Sequence, residues 1–262
     1  MISPPLRIVQ VTDLHLFAES DRCLLGMPTL RSLNALITQL RQLRPRPDLL
    51  LLTGDLSQDG SADSYAHVQH LFAPLEIPTY WLPGNHDDIE VMQRSLTQFH
   101  AEKSFRCSNW QFILLNSQDP GCVHGRLSKE SLQWLDHQLA ENLDAPTLVS
   151  LHHPPFTVNS TWLDTSTLQN SAELLKVLDR YPQVKLVVFG HIHQEFQHQR
   201  KAVTYLGTPS TCIQFARESD EFALGKEDPG FRLIELHSDG TWQSQVKRVE
   251  FSYQRDLAAT GY

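Results

Sequence analysis

The chain alternates uninterrupted apolar runs with segments whose apolar residues recur at helical spacing. "LRIVQVTD" reads as a strand, Leu30, Leu33, Ile37 and Leu40 fall on one helical face, and "DLLLLTGD" is the continuous apolar run of a strand buried on both sides. This is a βαβ unit, and the pattern repeats. Helices are predicted near residues 61–72, 88–99, 128–143 and 171–181, the third with Leu132, Leu135 and Leu139 on one face. Between them lie the strands "TYWLPG", "WQFILLN", "PTLVSLHH" and "VKLVVFGH". Beyond residue 191 the helical spacing stops, and "AVTYLG", "TCIQFA", "FRLIELH" and "WQSQVKRVEF" read as short strands joined by turns such as "SDGT". The tail "RDLAATGY" is expected to be loosely held. With no repeat, low-complexity tract or linker, the expectation is one domain over 1–262. It is of the α/β class, with two packed mixed sheets and helices on both outer faces, the C-terminal strands completing the second sheet.

Length and composition agree with that picture, since 262 residues that are 40% hydrophobic can build a substantial core. The first residues lack the apolar core of a signal peptide and no run approaches a membrane span, so a cytoplasmic protein without membrane contact is expected. Cys23, Cys107, Cys122 and Cys212 are scattered with no CxxC pair, which predicts reduced, structural thiols. A net charge of −8 argues against nucleic acid as a partner. An anionic substrate would then have to be attracted by bound cations, and 13 histidines make that worth pursuing.

The chemistry is concentrated where apolar runs end. "VTDLH" gives Asp13 and His15, "LLTGD" gives Asp55, and "LPGNHD" gives Asn85, His86 and Asp87. "VSLHHPP" gives His152 and His153, and "VVFGHIH" gives His191 and His193. Sites in α/β sheets lie beyond the carboxyl ends of strands, so these clusters are candidates to converge. In an extended segment residues i and i+2 share a side, which predicts that Asp13 with His15, and His191 with His193, each act as a two-pronged clamp. Gly54, Gly84 and Gly190 would let the backbone turn close to an ion. Two carboxylates, four imidazoles and an amide oxygen exceed the needs of one ion and suit two that share a carboxylate. Mixed N/O ligation of this kind favours Mn, Fe, Co or Zn over Mg or Ca. Two divalent ions less two aspartates and a bridging hydroxide leave a charge of about +1, a field suited to a phosphodiester monoanion.

Taken singly, each motif is weak: "GNHD" suits an ordinary turn, and an aspartate after a strand is often a helix cap. In order, the five blocks resemble the metallophosphoesterases, the calcineurin-like superfamily, whose pattern is DxH, GD, GNH(D/E), H and GHxH. The chain is similar in particular to bacterial 3',5'-cyclic-AMP phosphodiesterases, through "GDLSQDGSADSY", "PGCVHGRLSKESLQWLD", "LHHPPF" and "GTPSTCIQFARESDEFALGKEDPGFRLIEL". The resemblance implies a four-layer αββα sandwich. It implies that Asp13, His15, Asp55 and His193 hold one metal and that Asp55, Asn85, His152 and His191 hold the other, with Asp55 bridging and an Fe and Mn pair as the expected ions. His86 would face the scissile phosphate as the catalytic residue, so that His15, Asp55, Asn85, His86, His152 and His193 surround the substrate. The implied reaction opens cyclic AMP to 5'-AMP by attack of a metal-bridging hydroxide, in a monomer or homodimer.

His153, next to a presumed ligand, is expected to support or pack rather than to bind metal. His124 on a loop is a candidate for phosphate or ribose contact. Phe156, Trp162 and Phe215 are candidates to stack on a base, with packing as the alternative for each. His67, His70, His100, His137, His198 and His237 are expected to be solvated. Relatives acting on glycerophosphodiesters or 2',3'-cyclic nucleotides would share every metal residue, as would a non-catalytic nucleotide-binding module. Only the loops 117–127, 155–170 and 207–228 are expected to discriminate among the esters.

Overall fold

The computed structural model describes residues 4–261. In chain order it contains β1 (Leu6–Val11), β2 (Cys23–Leu24), β3 (Met27–Pro28), α1 (Thr29–Gln42), β4 (Leu49–Thr53), α2 (Ala62–Phe72), β5 (Thr79–Leu82), α3 (Ile89–Ser95), β6 (Ser104–Cys107) and β7 (Trp110–Leu114). There follow α4 (Lys129–Ala140), β8 (Thr147–Ser150), α5 (Thr161–Asp164), α6 (Ser171–Leu178), β9 (Val184–Phe189), β10 (Phe196–Arg200), β11 (Val203–Gly207), β12 (Gly230–Leu236) and β13 (Trp242–Arg248).

Two sheets carry the fold. One has the strand order β13-β12-β1-β4-β5 and the other β10-β11-β9-β8-β7-β6. In the first sheet β1, β4 and β5 run parallel and β12 and β13 add antiparallel at one edge; in the second β7, β8, β9 and β11 run parallel and β6 and β10 close the two edges antiparallel. The period of two explains the continuous apolar runs. Ile8, Leu49, Leu51, Phe112, Leu148, Leu186 and Val188 face a core shared by both sheets. Their neighbours Val9, Val11, Leu50 and Leu52 pack under α1 and α2, and Ile113, Val149, Val187 and Phe189 under α4 and α6. The result is the expected helix–sheet–sheet–helix layering.

Three helices, α2, α3 and α4, begin where a short polar side chain can satisfy a first-turn amide. Ser61, Asp88 and Ser128 accept from Ser64, Val91 and Ser131 at 3.2, 3.0 and 3.0 Å. Leu132, Leu135 and Leu139 of α4 are buried as their spacing predicts. The helix expected over 88–99 is shorter, ending at Ser95.

Three expectations are corrected. The C-terminal strands do not all join the second sheet: β10 and β11 extend it, whereas β12 and β13 extend the first. "TCIQFA" is not a strand but a buried loop whose carbonyls are met by a side chain, Gln214 Nε2 donating to the carbonyls of Ser210, Cys212 and Ile213 at 2.8, 3.3 and 3.1 Å. Four short strands, β2, β3, β6 and β10, and the one-turn helix α5 were not expected; the half-exposed sequences "SFRC" of β6 and "FQHQR" of β10 lack an apolar run. The tail is anchored at its start, where Arg255 Nη2 donates to the Lys226 carbonyl at 2.9 Å and the Asp256 amide to the Leu25 carbonyl at 3.1 Å; its last residue, Tyr262, lies outside the described residues. Among the described residues no helix is long and apolar enough to cross a membrane.

Candidate metal centre

The loops after β1, β4, β5, β8 and β9 meet at one end of the two sheets. The Asp13 and His15 amides donate to the carbonyls of Gly54 and Asp55, each at 3.0 Å, which joins the first two loops. The Gly190 amide donates to the His152 carbonyl at 3.1 Å, and the His191 amide to both Asp13 carboxylate oxygens at 3.0 and 3.1 Å, which joins the two sheets. The His86 amide donates to Asp55 Oδ1 at 2.9 Å and brings in the fifth.

Close approach at these loops demands glycine, most tightly at Gly84 and Gly190. A Cβ on Gly84 would lie 2.2 Å from Asp55 Oδ1 and one on Gly190 2.0 Å from Thr12 Oγ1. The extended clamp expected for Asp13 with His15 and for His191 with His193 is not what forms. These residues, and Asp55, adopt left-handed backbone with φ of 54°, 47°, 69°, 49° and 49° respectively. The side chains converge because the chain curls around the site at every second residue, not because a strand runs past it.

Asp13, His15, Asp55, His152 and His193 are fully buried, and His191 nearly so. Donor atoms of Asp13, His15 and His193 lie within 4.8 Å of one another, as do those of Asp13, Asp55 and His152. Asp55 Oδ2 stands 3.1 Å from His152 Nε2 and 3.8 Å from His15 Nε2, between the two groups. Each imidazole is oriented from behind. Nδ1 of His15 faces Gln58 Oε1 at 2.5 Å, that of His152 the Thr53 carbonyl at 2.8 Å, and that of His193 the Ile213 carbonyl at 2.9 Å, so all three turn Nε2 inward. His191 is reversed, with Nε2 on Ser166 Oγ at 3.0 Å.

Burial pushes the Asp13 and Asp55 carboxyls up, but the imidazoles of His193 and His152 outweigh it and hold both below their ordinary value. Burial also pulls His15 down to about 3 and His191 well down, leaving both neutral. His152 resists burial because Asp55 and Asp13 flank it, and it is carried up to about 9. Ionised carboxylates beside the neutral imidazoles of His15 and His191 form a donor set suited to cations. Two buried atoms fit that reading directly. Asn85 Oδ1 and His191 Nδ1 have no hydrogen-bond partner among the described residues, and buried polar atoms are rarely left so.

Asp87 is not aimed at this cluster. Its carboxylate accepts from the amides of Leu56, Ser57 and Gly84 at 3.1, 3.0 and 2.9 Å and from Tyr65 Oη at 3.1 Å, strapping the "GNHD" turn to the "GD" loop. Burial and the Asp55 charge raise it to about 7 against those donors. His153 is likewise occupied at both nitrogens, by Ser117 Oγ at 2.8 Å and the Val123 carbonyl at 3.1 Å, so it anchors the loop 117–127.

His86 is half-exposed and, with His124, Trp162, Ser166 and His191, lines a cavity of about 380 Å³ over the buried donors. His124 reaches this cavity while its Nε2 sits 3.2 Å from Asp119 Oδ2. Of the three aromatics considered for stacking, Trp162 alone borders the cavity; Phe215 is buried against the His193 ring at 4.1 Å and Phe156 packs on Tyr205. The orienting residues Gln58 and Ser166 and the strap from Tyr65 were not singled out from the sequence, where a lone polar residue on a loop carries no periodic signal.

Comparison with known proteins agrees with the geometry. A family model described as calcineurin-like phosphoesterase matches residues 6–195. A 3',5'-cyclic-nucleotide phosphodiesterase from Nostoc sp. is 53% identical over 250 residues, covering 95% of this chain and 94% of the relative. A 3',5'-cyclic adenosine monophosphate phosphodiesterase from Escherichia coli K12 is 41% identical over 261 residues, covering 98% and 95%. The crystal structure of a dimetal phosphatase from Danio rerio superposes with a TM-score of 0.69 at 14% identity, covering 95% of this chain and all of that one, and supports the fold. Motif order, layering and these matches together place the chain in the calcineurin-like phosphoesterase family, whose members bind a dinuclear metal centre.

Proposed function

We propose that the protein hydrolyses 3',5'-cyclic AMP to 5'-AMP at a two-metal site. The observation that carries this reading is the buried donor cluster with its two unpartnered atoms, Asn85 Oδ1 and His191 Nδ1. The similarity to named cyclic-nucleotide phosphodiesterases over almost the whole chain supports the substrate. Asp13, His15, Asp55 and His193 hold one ion, and Asp55, Asn85, His152 and His191 the other, with Asp55 shared. An iron and manganese pair suits this mixture of imidazole, carboxylate and amide oxygen. Bound there, the ions supply positive charge for the phosphate oxygens and acidify water toward neutral pH.

The chain's own groups do the rest. Gln58, the Thr53 and Ile213 carbonyls and Ser166 fix which nitrogen each histidine turns inward. The His86 ring, edge-on to His15 with centroids 5.1 Å apart, lines the cavity where the phosphate enters. It hydrogen-bonds the phosphoryl group and donates a proton to the departing 3' oxygen.

The test is chromatographic product analysis with cyclic AMP on manganese- or iron-loaded protein, beside the His86→Ala variant. Formation of 5'-AMP, with kcat lowered by about two orders of magnitude or more in the variant and its metal content retained, is the expected result. Cleavage of glycerophosphodiesters or 2',3'-cyclic nucleotides in place of cyclic AMP would keep the site and discard the substrate. Unchanged turnover in His86→Ala would remove the role given to that residue.

A further inference from the structure

The cavity over the donor cluster does not end at its own wall. Val123 and Trp162, which border it, also border a second cavity of about 540 Å³ lined by Phe222, Asp220 and Glu221 and by Thr260 and Gly261 of the tail. The two form one groove, and each of the loops 117–127, 155–170 and 207–228 contributes to it. At the junction Val123 is 58% exposed, an apolar side chain held in water where the loop anchored by His153 crosses the groove. The Trp162 ring is set by edge-on contacts with Phe215 and Phe222, at centroid distances of 4.9 and 5.1 Å, and cannot rotate without breaking both.

The groove is therefore graded. Its inner end has His86 and the cation-binding donors, its middle is apolar and aromatic, and its outer end carries two carboxylates. A ligand that is anionic at one end and a flat, neutral, amine-bearing heterocycle at the other fits that order. The carboxylates repel its phosphate toward the inner end and accept from its exocyclic amine. We propose that Val123, Trp162 and Phe222 form a nucleobase subsite that seats the base of the substrate beside Trp162 while the phosphate lies at His86. This rests on the cyclic-nucleotide reading and adds the residues that select the base.

The measurement is the ratio of kcat/KM for cyclic AMP to that for methyl riboside 3',5'-cyclic phosphate, which keeps the ring and lacks the base, on manganese-loaded enzyme. A ratio of about tenfold or more is expected for the native protein, the usual range for one base stacked on an aromatic ring. It should fall toward unity in Trp162→Ala and in the exposed-site variant Val123→Asp, and recover in Trp162→Phe. Because both esters meet the same inner site, general damage cancels in the ratio. An unchanged ratio in both variants overturns the subsite and leaves the substrate intact. If the native enzyme opens neither ester, quenching of tryptophan fluorescence by adenosine decides. Quenching that Val123→Asp abolishes keeps the subsite and discards the reaction, and absence of quenching discards the subsite.

Discussion

The hydroxyl of Ser166 lies 3.0 Å from Nε2 of His191, on the side of the ring away from the nitrogen that lacks a partner. A proton on Nδ1 would be buried and unsatisfied, so Nε2–H donates to Ser166 and Nδ1 keeps its lone pair. Ser166→Ala removes that preference. Metal affinity at the centre is expected to fall by about 10–100-fold in a chelator competition, and Ser166→Thr to restore most of it.

Asp87 gathers three backbone amides and a phenol that have no other way to be satisfied there. Asp87→Ala is expected to destabilise the fold by about 3 kcal/mol or more, since each buried donor left unmet costs about 1–3 kcal/mol. Urea unfolding of the metal-free protein measures this, apart from any effect on the ions.

Gly84 faces rigid neighbours: a Cβ there would stand 2.2 Å from Asp55 Oδ1 and 2.5 Å from the Asp55 backbone nitrogen. Gly84→Ala must push the Asp55 carboxylate aside. A shift of about 1 Å at a reacting centre costs about 100-fold in rate, and that loss is expected together with less than two metal ions per chain by elemental analysis and an unchanged far-ultraviolet circular dichroism spectrum.

Lys103 supplies a pH signature remote from the site. Its ammonium donates to the Trp81 carbonyl at 3.1 Å and lies 4.0 Å from the Trp81 ring centre, and burial pulls it down to about 8, with Glu102 opposing. The unfolded chain titrates this group near the ordinary value of 10.5 and so binds more protons between the two values. Stability contributed here is lowest below pH 8 and rises toward pH 10.5. Urea midpoints across that interval should rise less steeply in Lys103→Met.

The strands that carry the site were legible because both of their faces are buried: the apolar runs ending at Val11, Thr53, Leu82, Ser150 and Phe189 leave no polar alternation to confuse them. The polar residues just beyond each run then identified the cluster. "TCIQFA" misled because burial alone makes a loop as apolar as a strand, and only the reach of Gln214 to three carbonyls tells them apart. The left-handed turns at Asp13 and His15 were hidden for a different reason. Backbone of that hand is announced reliably only by glycine, and aspartate and histidine, though they adopt it more readily than most residues, do so too seldom to signal it in a sequence.

Those five left-handed residues tie the protein's evolvability to its activity. Each is expected to hold its backbone at a cost of roughly 1–2 kcal/mol that glycine would relieve. Glycine at Asp13, His15, Asp55, His191 or His193 would relieve that strain but would strip a buried hydrogen bond as well as a donor, so folding and activity resist the change together. Thermostable variants obtained without a screen for turnover are thus expected to keep these five residues, and with them the donors.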